Sequence, residues 1–365
     1  MPALTVDQKG TGNIIDLLGN GTPKVIIDAN GNVGIGTTQP RAEIHMNYTG
    51  AMIIPTGTTA QQPSTPVIGM VRFNVDLNRL QFYNVFGWSS IGGVSAFGGN
   101  TVLDANGYRV HVFTSSGTFT VYSGGVIEYL LVAGGGGGGY DVAGGGGGGG
   151  LLAGTFNTPS NSYQIVIGAG GPGRTVSSST NGTNGDQSSA FDVIALGGGG
   201  GGSGATTSGS SGGSGGGGAA NKPGGSGTLN QGSSGGTGLT SSQYFNGGGG
   251  GGKLEAGLNA TTSSGGAGGS GFSSSISSQT VYYSGGGGGS WLDNTGAIGT
   301  SSNRGLGGLG GGGSGGVSKG TTIIVSASSG VINTGGGGGG GAWVSGSNGN
   351  GGNGGSGIVI LRYLL

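Results

Sequence analysis

Nothing constrains this chain more than its blocks of consecutive glycine. They occupy 134–139, 144–150, 197–202, 215–218, 247–252, 285–289, 310–313 and 335–341, and most are of similar length. Flexible linkers usually mix glycine with serine between polar neighbours. Here several blocks follow apolar, strand-like leads, among them "EYLLVA", "FDVIAL" and "QTVYYS". Ordering a glycine costs roughly 0.5–1 kcal/mol more than ordering an alanine, so an ordered block needs a compensating gain. Without Cβ atoms, chains in an extended threefold helix rising about 3.1 Å per residue can pack side by side. Each N–H then bonds a neighbour's carbonyl for a net of roughly 0.5–1.5 kcal/mol, and Cα–H···O contacts add about 0.5 kcal/mol or more. Several blocks of equal length could form such a lattice where one could not. The residues therefore point to packed polyglycine II helices, with flexible tethers as the competing reading.

Composition removes other classes. Glycine makes up 104 of 365 residues with only 9 prolines, and the blocks lack the triplet phase that collagen needs. Charged residues are 7% of the chain and sum to a formal charge of zero, which is neither the signature of a disordered chain nor a basic surface for nucleic acid. The absence of cysteine excludes disulfides and thiol chemistry. No signal-peptide pattern opens the chain, and no run of about 18 apolar residues could cross a membrane. The expectation is assembly in a cytoplasm with no nucleic-acid partner and no membrane insertion.

Helical periodicity is almost absent. The best candidate, "NIIDLLGNG", meets glycine within about two turns. Elsewhere short β-branched runs alternate with turns: "KVIIDANGNVGIG" about Asn30-Gly31, "MVRFNVDLNRLQFYNVFGWSSIGG" about a polar turn, and "RVHVFTSSGTFTVY" about Ser-Ser-Gly. The segments "FTVYSGGVIEYLLVA", "SYQIVIGAG", "SAFDVIALG" and "SGIVILRYLL" suggest a small β-sandwich base from which the glycine helices project. In it the C-terminal strand closes the sheet that residues 128–132 open.

The segment "DANGNVGIGTTQPRAEIHM" resembles a "GNVGIGTT-x-P" unit of bacteriophage tail-fibre shafts, and "AMIIPTGTTAQQPSTPVIGMVRFNVDLNRLQFYN…GWSSIGG" resembles a second fibre module. "YRVHVFTSSGTFTV…IEYLLVAGGGGGG" with the closing "GGSGIVILRY" is similar to a glycine-rich domain at the ends of phage fibre proteins. Together these cover nearly all of the chain. The tips of T-even-type phage adhesins carry such a polyglycine sandwich. The resemblance implies an all-β protein: a homotrimeric β-shaft joined to tail or baseplate proteins at its N-terminus, and a tip that recognises a bacterial surface glycan or outer-membrane protein. The divisions expected are 1–48 for shaft and attachment, 49–93 for a small β module, 94–106 for a connector and 107–365 for the glycine-rich domain. Short hairpins make poor monomeric domains, so winding chains together would supply core and cover edges.

Chemistry-bearing motifs are weak. "GAGGPGRT" imitates a phosphate loop but carries Arg174 where lysine belongs and leads into no helix. "DANGN" begins like a calcium loop, yet Val33 replaces the required glycine and Gln39 the final glutamate. The only histidines, His45 and His111, lie far apart in β segments, so neither a Ser/His/Asp site nor zinc is suggested. Few carboxylates follow residue 130, and a glycosidase pair is poorly supported. No catalytic residue, metal or cofactor is expected. The inter-run aromatics are different. Tyr244, Phe245 and Asn246 precede one run, and Trp291, Asp293, Asn294 and Arg304 follow another. Aromatic faces with amide and carboxylate neighbours would suit a sugar; Tyr282, Tyr283 and Trp343 read rather as caps on the lattice. The expected function is receptor binding in a virion, acting at the host surface. The alternatives are a purely structural fibre protein and, third, a polysaccharide depolymerase.

Overall fold

The computed structural model describes residues 9–20, 22–76, 79–85, 87–91, 93–176, 180–204, 206–293, 301–319, 322–343 and 349–365. Among them there is no α-helix; strands, short 3-10 turns and extended glycine make up the chain. It divides into two compact units, 1–66 with 70–78, and 67–69 with 79–365.

In the first unit Ile15–Gly19 pairs antiparallel with Thr22–Ile27, which pairs antiparallel with Val33–Ile35, itself parallel to Ile44–Met46. The helical candidate "NIIDLLGNG" is thus a strand and hairpin, because cross-strand pairing overrides a weak helical propensity and Asn20 turns the chain at φ 52°. The Asp28 carboxylate accepts the N–H groups of Asn30 and Asn32, both at 2.9 Å, which makes "DANGN" a turn closed by its own aspartate. Ile26 is the one fully buried apolar side chain among the described residues of this unit, while Leu17, Leu18, Ile44, Met52 and Ile53 are exposed. So small a core does not sustain an independent fold.

The second unit is built on two antiparallel sheets. Thr101–Ala105, Tyr108–Phe113, Ile358–Leu364, Gly125–Val132 and Leu151–Thr158 lie side by side in that order; Asn161–Ile165, Gly117–Ser123 and Ser95–Phe97 form the other sheet. Strands at 95–97 and 101–105 come from the stretch read above as a connector. The C-terminal strand lies centrally, pairing Glu128 with Arg362 and Val132 with Ile358. Alternation sorts its side chains by face. Val359, Leu361 and Tyr363 join Ile127, Leu131, Phe113, Phe119 and Phe191 between the sheets. Ile358 and Ile360 join Leu130, Val132 and Leu151 on the opposite face, covered by Ile276 and Tyr283.

Val132, Leu151 and Ile358 sit abreast, and each strand continues there as a glycine run. The Ala133 N–H to Gly150 carbonyl bond, 3.0 Å, adds one more rung to the ladder. Beyond it the bonding period changes from two to three. Gly134 and Gly137 donate to Asp186 and Thr183, Gly135 and Gly138 to Gly355 and Gly352, and Gly136 and Gly139 to Gly147 and Gly144. Their carbonyls accept, in the same rotation, from Gly198 and Gly201, from Gly171 and Arg174, and from Gly338 and Gly341. Run 134–139 therefore has six neighbours, three taking its protons and three supplying theirs. Run 144–150 is surrounded in the same way: it donates towards 196–202, 248–251 and 335–338, and accepts from 133–139, 214–217 and 284–287. Side chains are excluded from this interior. A Cβ on Gly136, Gly137 or Gly146 would lie 2.1–2.2 Å from a neighbouring carbonyl oxygen.

Asparagine seals the margins, where a neighbouring run is missing. Asn184 Oδ1 accepts the Gly200 N–H and Asn353 Oδ1 the Gly173 N–H, both at 2.8 Å. Asn181, three residues before Asn184, donates its amide to the Ser208 carbonyl at 2.8 Å.

His111 lies buried in the sandwich, its Nδ1 2.7 Å from the Gly98 carbonyl and its Nε2 3.2 Å from the Tyr363 hydroxyl. Burial holds its pKa below the ordinary histidine value, against the opposing pull of the Gly98 carbonyl. The unfolded chain therefore takes the proton first. Stability is full above about pH 6.5 and declines as pH falls through that value. Thermal melts between pH 7.5 and 6 are expected to show this decline, and His111→Gln to flatten it; an equally steep decline in the variant would contradict the assignment.

Candidate functional site

Because the runs alternate in direction, their turns gather at two ends. One end is the sandwich. The other carries the turns at 140–143, 219–221, 239–246 and 261–264, with residues 203–204, 290–293 and 342–343, which follow runs 197–202, 285–289 and 335–341. Val142, Ala220 and Leu292 are buried together at this second end, with Phe245 and Trp343 packed against them. They plug the ends of the glycine runs, which have no side chains of their own to exclude water.

Most of the residues singled out from the sequence meet at one corner of this end. The short hairpin of Leu239–Thr240 and Phe245–Asn246 presents Tyr244, whose ring centroid lies 6.4 Å from that of Trp291. Trp291 itself is buried (5% exposed) and donates its indole N–H to the Thr262 carbonyl at 3.3 Å. Asn246, fully buried, donates to the Thr261 carbonyl at 2.6 Å and accepts from the Leu292 N–H at 3.0 Å. Both therefore brace the loops instead of offering a free face. Tyr244 and Phe245 are half-buried, as is Arg304, which follows the 3-10 turn Ser301–Asn303; Asn303 ties that turn to the Ser263 carbonyl at 2.7 Å. Asp293 ends the Trp291–Asp293 strand, which runs parallel to Val317–Lys319. Its side chain and all of Asn294 lie outside the described residues. Of the aromatics read as caps, Trp343 belongs to the plug and Tyr283 is buried against the base sheet, whereas Tyr282 is 44% exposed.

The groups that face solvent here are Ser242, Gln243, Thr261, Thr262 and Ser263, all exposed and none of them among the recognition residues expected above. Their signal was the concentration of hydroxyls in "TTSS" and "TSSQ" between runs. This corner offers hydroxyls, an amide, a half-exposed phenol and a guanidinium. It can hydrogen-bond and stack, and among the described residues no group of His, Asp and Glu could hold a metal ion.

Asp141 is the anomaly of this end. It stands at φ 62° in the turn between the first two runs, with Oδ1 buried and no hydrogen-bond partner among the described residues. Burial pushes its carboxyl up to about 6. The folded chain thus takes this proton before the unfolded one, and stability rises as pH falls from about 6 towards 3.8. Asn tolerates the same left-handed backbone without a charge. Asp141→Asn is expected to stabilise the protein at pH 7 by about 1 kcal/mol, after discounting for solvent screening at a half-exposed site. The gain over the parent in melting temperature should shrink by pH 4; a loss of stability at pH 7 would show that the carboxylate is held by a partner.

Fold and site together define an all-β protein in which glycine is the packing element. A family model described as a glycine-rich domain matches residues 114–364. The chain belongs to this glycine-rich domain family. No curated protein matches it.

Proposed function

We propose that this protein is a bacteriophage tail-fibre protein, carried on the virion, that binds a host bacterial surface receptor through the loops at the far end of its glycine-rich domain. The observation that carries this reading is the polarity of the second unit. One end is a closed sandwich holding both the entry to and the exit from the glycine runs. The other collects loops of varied sequence over a hydrophobic plug, with exposed hydroxyl and amide groups at the corner around Tyr244 and Thr262. Loops on a rigid scaffold are where recognition is usually placed. The glycine runs are, in this reading, polyglycine II helices; the period of three in their hydrogen bonds and their six-neighbour environment support it.

The test uses the full chain, fluorescently labelled, on bacteria to which particles carrying it adsorb. Saturable binding is expected, lost in Gln243→Trp with Thr262→Trp while the melting temperature is unchanged. No binding to cells that adsorb the particles would overturn the receptor reading.

The first unit favours a structural role beside it. Its exposed Leu17, Leu18, Ile44, Tyr48, Met52 and Ile53 suit burial against further copies of the chain, and a homotrimer attached to tail or baseplate proteins is proposed. Sedimentation of the intact protein is expected to give three chains per particle. A monomer at micromolar concentration would contradict that shaft.

A further inference from the structure

Three neighbouring segments of the glycine-rich unit enclose a groove of about 550 Å³ on its flank. The floor is residues 350–353; Thr175 stands on one side, and Ile323, Ser326 and Ser329 on the other. Backbone bonds hold the segments together. Gly351 donates to the Arg174 carbonyl at 2.9 Å, Gly330 to the Asn353 carbonyl at 2.8 Å, and Gly352 to Gly339 at 2.8 Å. Gly349, one residue before the floor, accepts the Asp141 N–H of the turn at 140–143, which sets the groove beside the loop end. Its volume falls in the range of about 300–1,000 Å³ usual for small-molecule sites.

The polar side chains of this groove have hydrogen-bonding capacity to spare. Elsewhere at the margins asparagine spends its amide on the protein: Asn184 donates to the Ser211 carbonyl, Asn246 to Thr261 and Asn303 to Ser263. Asn353 does not. Its Oδ1 accepts the Gly173 N–H at 2.8 Å, which fixes the orientation of the amide and leaves both Nδ2 protons without an acceptor among the described residues. Ser329 Oγ accepts the Asn353 N–H at 3.2 Å and keeps its own proton to give. The side chains of Thr175, Ser326 and Asn350 have no partner among the described residues, and all five are exposed. Among the described residues no charged side chain lines the groove, and half-buried Ile323 supplies an apolar wall.

We propose that this groove binds an uncharged glycan segment, built of neutral sugars, as a second contact with the surface receptor. The inference rests on the receptor-binding reading above and adds to it a site and a ligand class. A sugar hydroxyl both donates and accepts, and so matches amide and hydroxyl side chains that offer donors and acceptors in one concavity. Phosphate and carboxylate groups only accept. In this groove they would meet no cation and leave the acceptor oxygens of Asn350, Ser326 and Thr175 unused. The C–H face of a sugar ring packs on Ile323. Contacts of this kind join uncharged groups, so salt does not screen them.

The labelled full-length protein is titrated on bacteria to which particles carrying it adsorb, with two competitors released from the same cells by mild acid. One is the polysaccharide that passes an anion exchanger, the other the polysaccharide that the exchanger retains. The neutral fraction is expected to lower cell-bound protein at least tenfold at saturation, equally within twofold at 20 and 500 mM NaCl. The retained fraction should leave binding within twofold. In direct titration with the neutral fraction, Asn350→Ala with Ser326→Ala is expected to weaken binding at least fivefold. Gln279→Ala, in the exposed turn of the hairpin that covers the base sheet, should leave it within twofold. Melting temperatures are read in parallel, and Ser326→Trp, which fills the groove, replaces the double variant if that one does not fold. Parental binding in the folded groove variant, or competition by the retained fraction as strong as by the neutral one, overturns the proposal. Saturable binding to cells that neither fraction inhibits would reject the glycan groove and leave the receptor reading standing. No binding to cells that adsorb the particles would overturn both.

Discussion

Gly137→Val is expected to disrupt the lattice of the second unit and lower stability by at least about 3 kcal/mol. A Cβ at this position would lie 2.1 Å from the Pro172 carbonyl oxygen, with Pro172 C and Gly173 N also within 2.7 Å, so the atoms in the way are backbone and not a mobile side chain. Overpacking alone costs about 1–3 kcal/mol. Displacing the run also breaks the Gly137 N–H bond to Thr183 and the bond from Gly201 to the Gly137 carbonyl, each worth roughly 0.5–1.5 kcal/mol. Gly117→Ala is the internal control. Its Cβ meets nothing nearer than Phe113 at 3.8 Å, and it is expected to behave like the parent in a denaturant titration. Equal, near-parental midpoints for both variants would mean that the runs are loose.

Deleting residues 358–365 is expected to abolish cooperative folding of the whole second unit, including runs the deletion does not touch. The Ile358–Leu364 strand sits between Tyr108–Phe113 and Gly125–Val132. It buries Ile358, Val359, Ile360, Leu361 and Tyr363 on two faces. At roughly 1.5–3 kcal/mol per large apolar side chain the loss matches the entire stability of an ordinary domain, about 5–15 kcal/mol. It also releases the last run from the sheet that aligns it with the first. Loss of the sigmoidal melt with retained solubility or with aggregation would both fit; a parental melt would not.

Much of this architecture was legible in the sequence because its signals are backbone signals. Similar run lengths, strand-like leads and the apolar strand after "GGSG" already implied runs anchored on a sheet closed by the chain's end, and Val132 facing Ile358 is that closure. Which run lies beside which was not legible. Glycine runs are alike, so partners are set by turn lengths and by marginal side chains such as Asn184 and Asn353, whose roles appear only once a neighbouring N–H is in reach. The site was legible by region and less so by residue. Aromatic and amide side chains next to runs were read as recognition groups, yet Trp291 and Asn246 are buried as braces. A run end exposes bare backbone, and the side chains beside it are drawn in to cover it. The exposed groups, Gln243 and Thr262 among them, are small and polar and carry no periodic signal. "NIIDLLGNG" misled for a related reason: its apolar spacing fits a short helix as well as a strand, and only its partner Thr22–Ile27 decides.

The glycine runs are packed structure and not tether. Amide hydrogen exchange of peptides covering 134–139 and 144–150 tests it most directly, because those N–H groups are bonded to neighbouring runs on every side. Exchange is expected to be no faster than in the Gly125–Val132 strand of the base, with loss of protection only on global unfolding. Exchange within seconds, at the rate of an unstructured glycine peptide while the base strand stays protected, would contradict it.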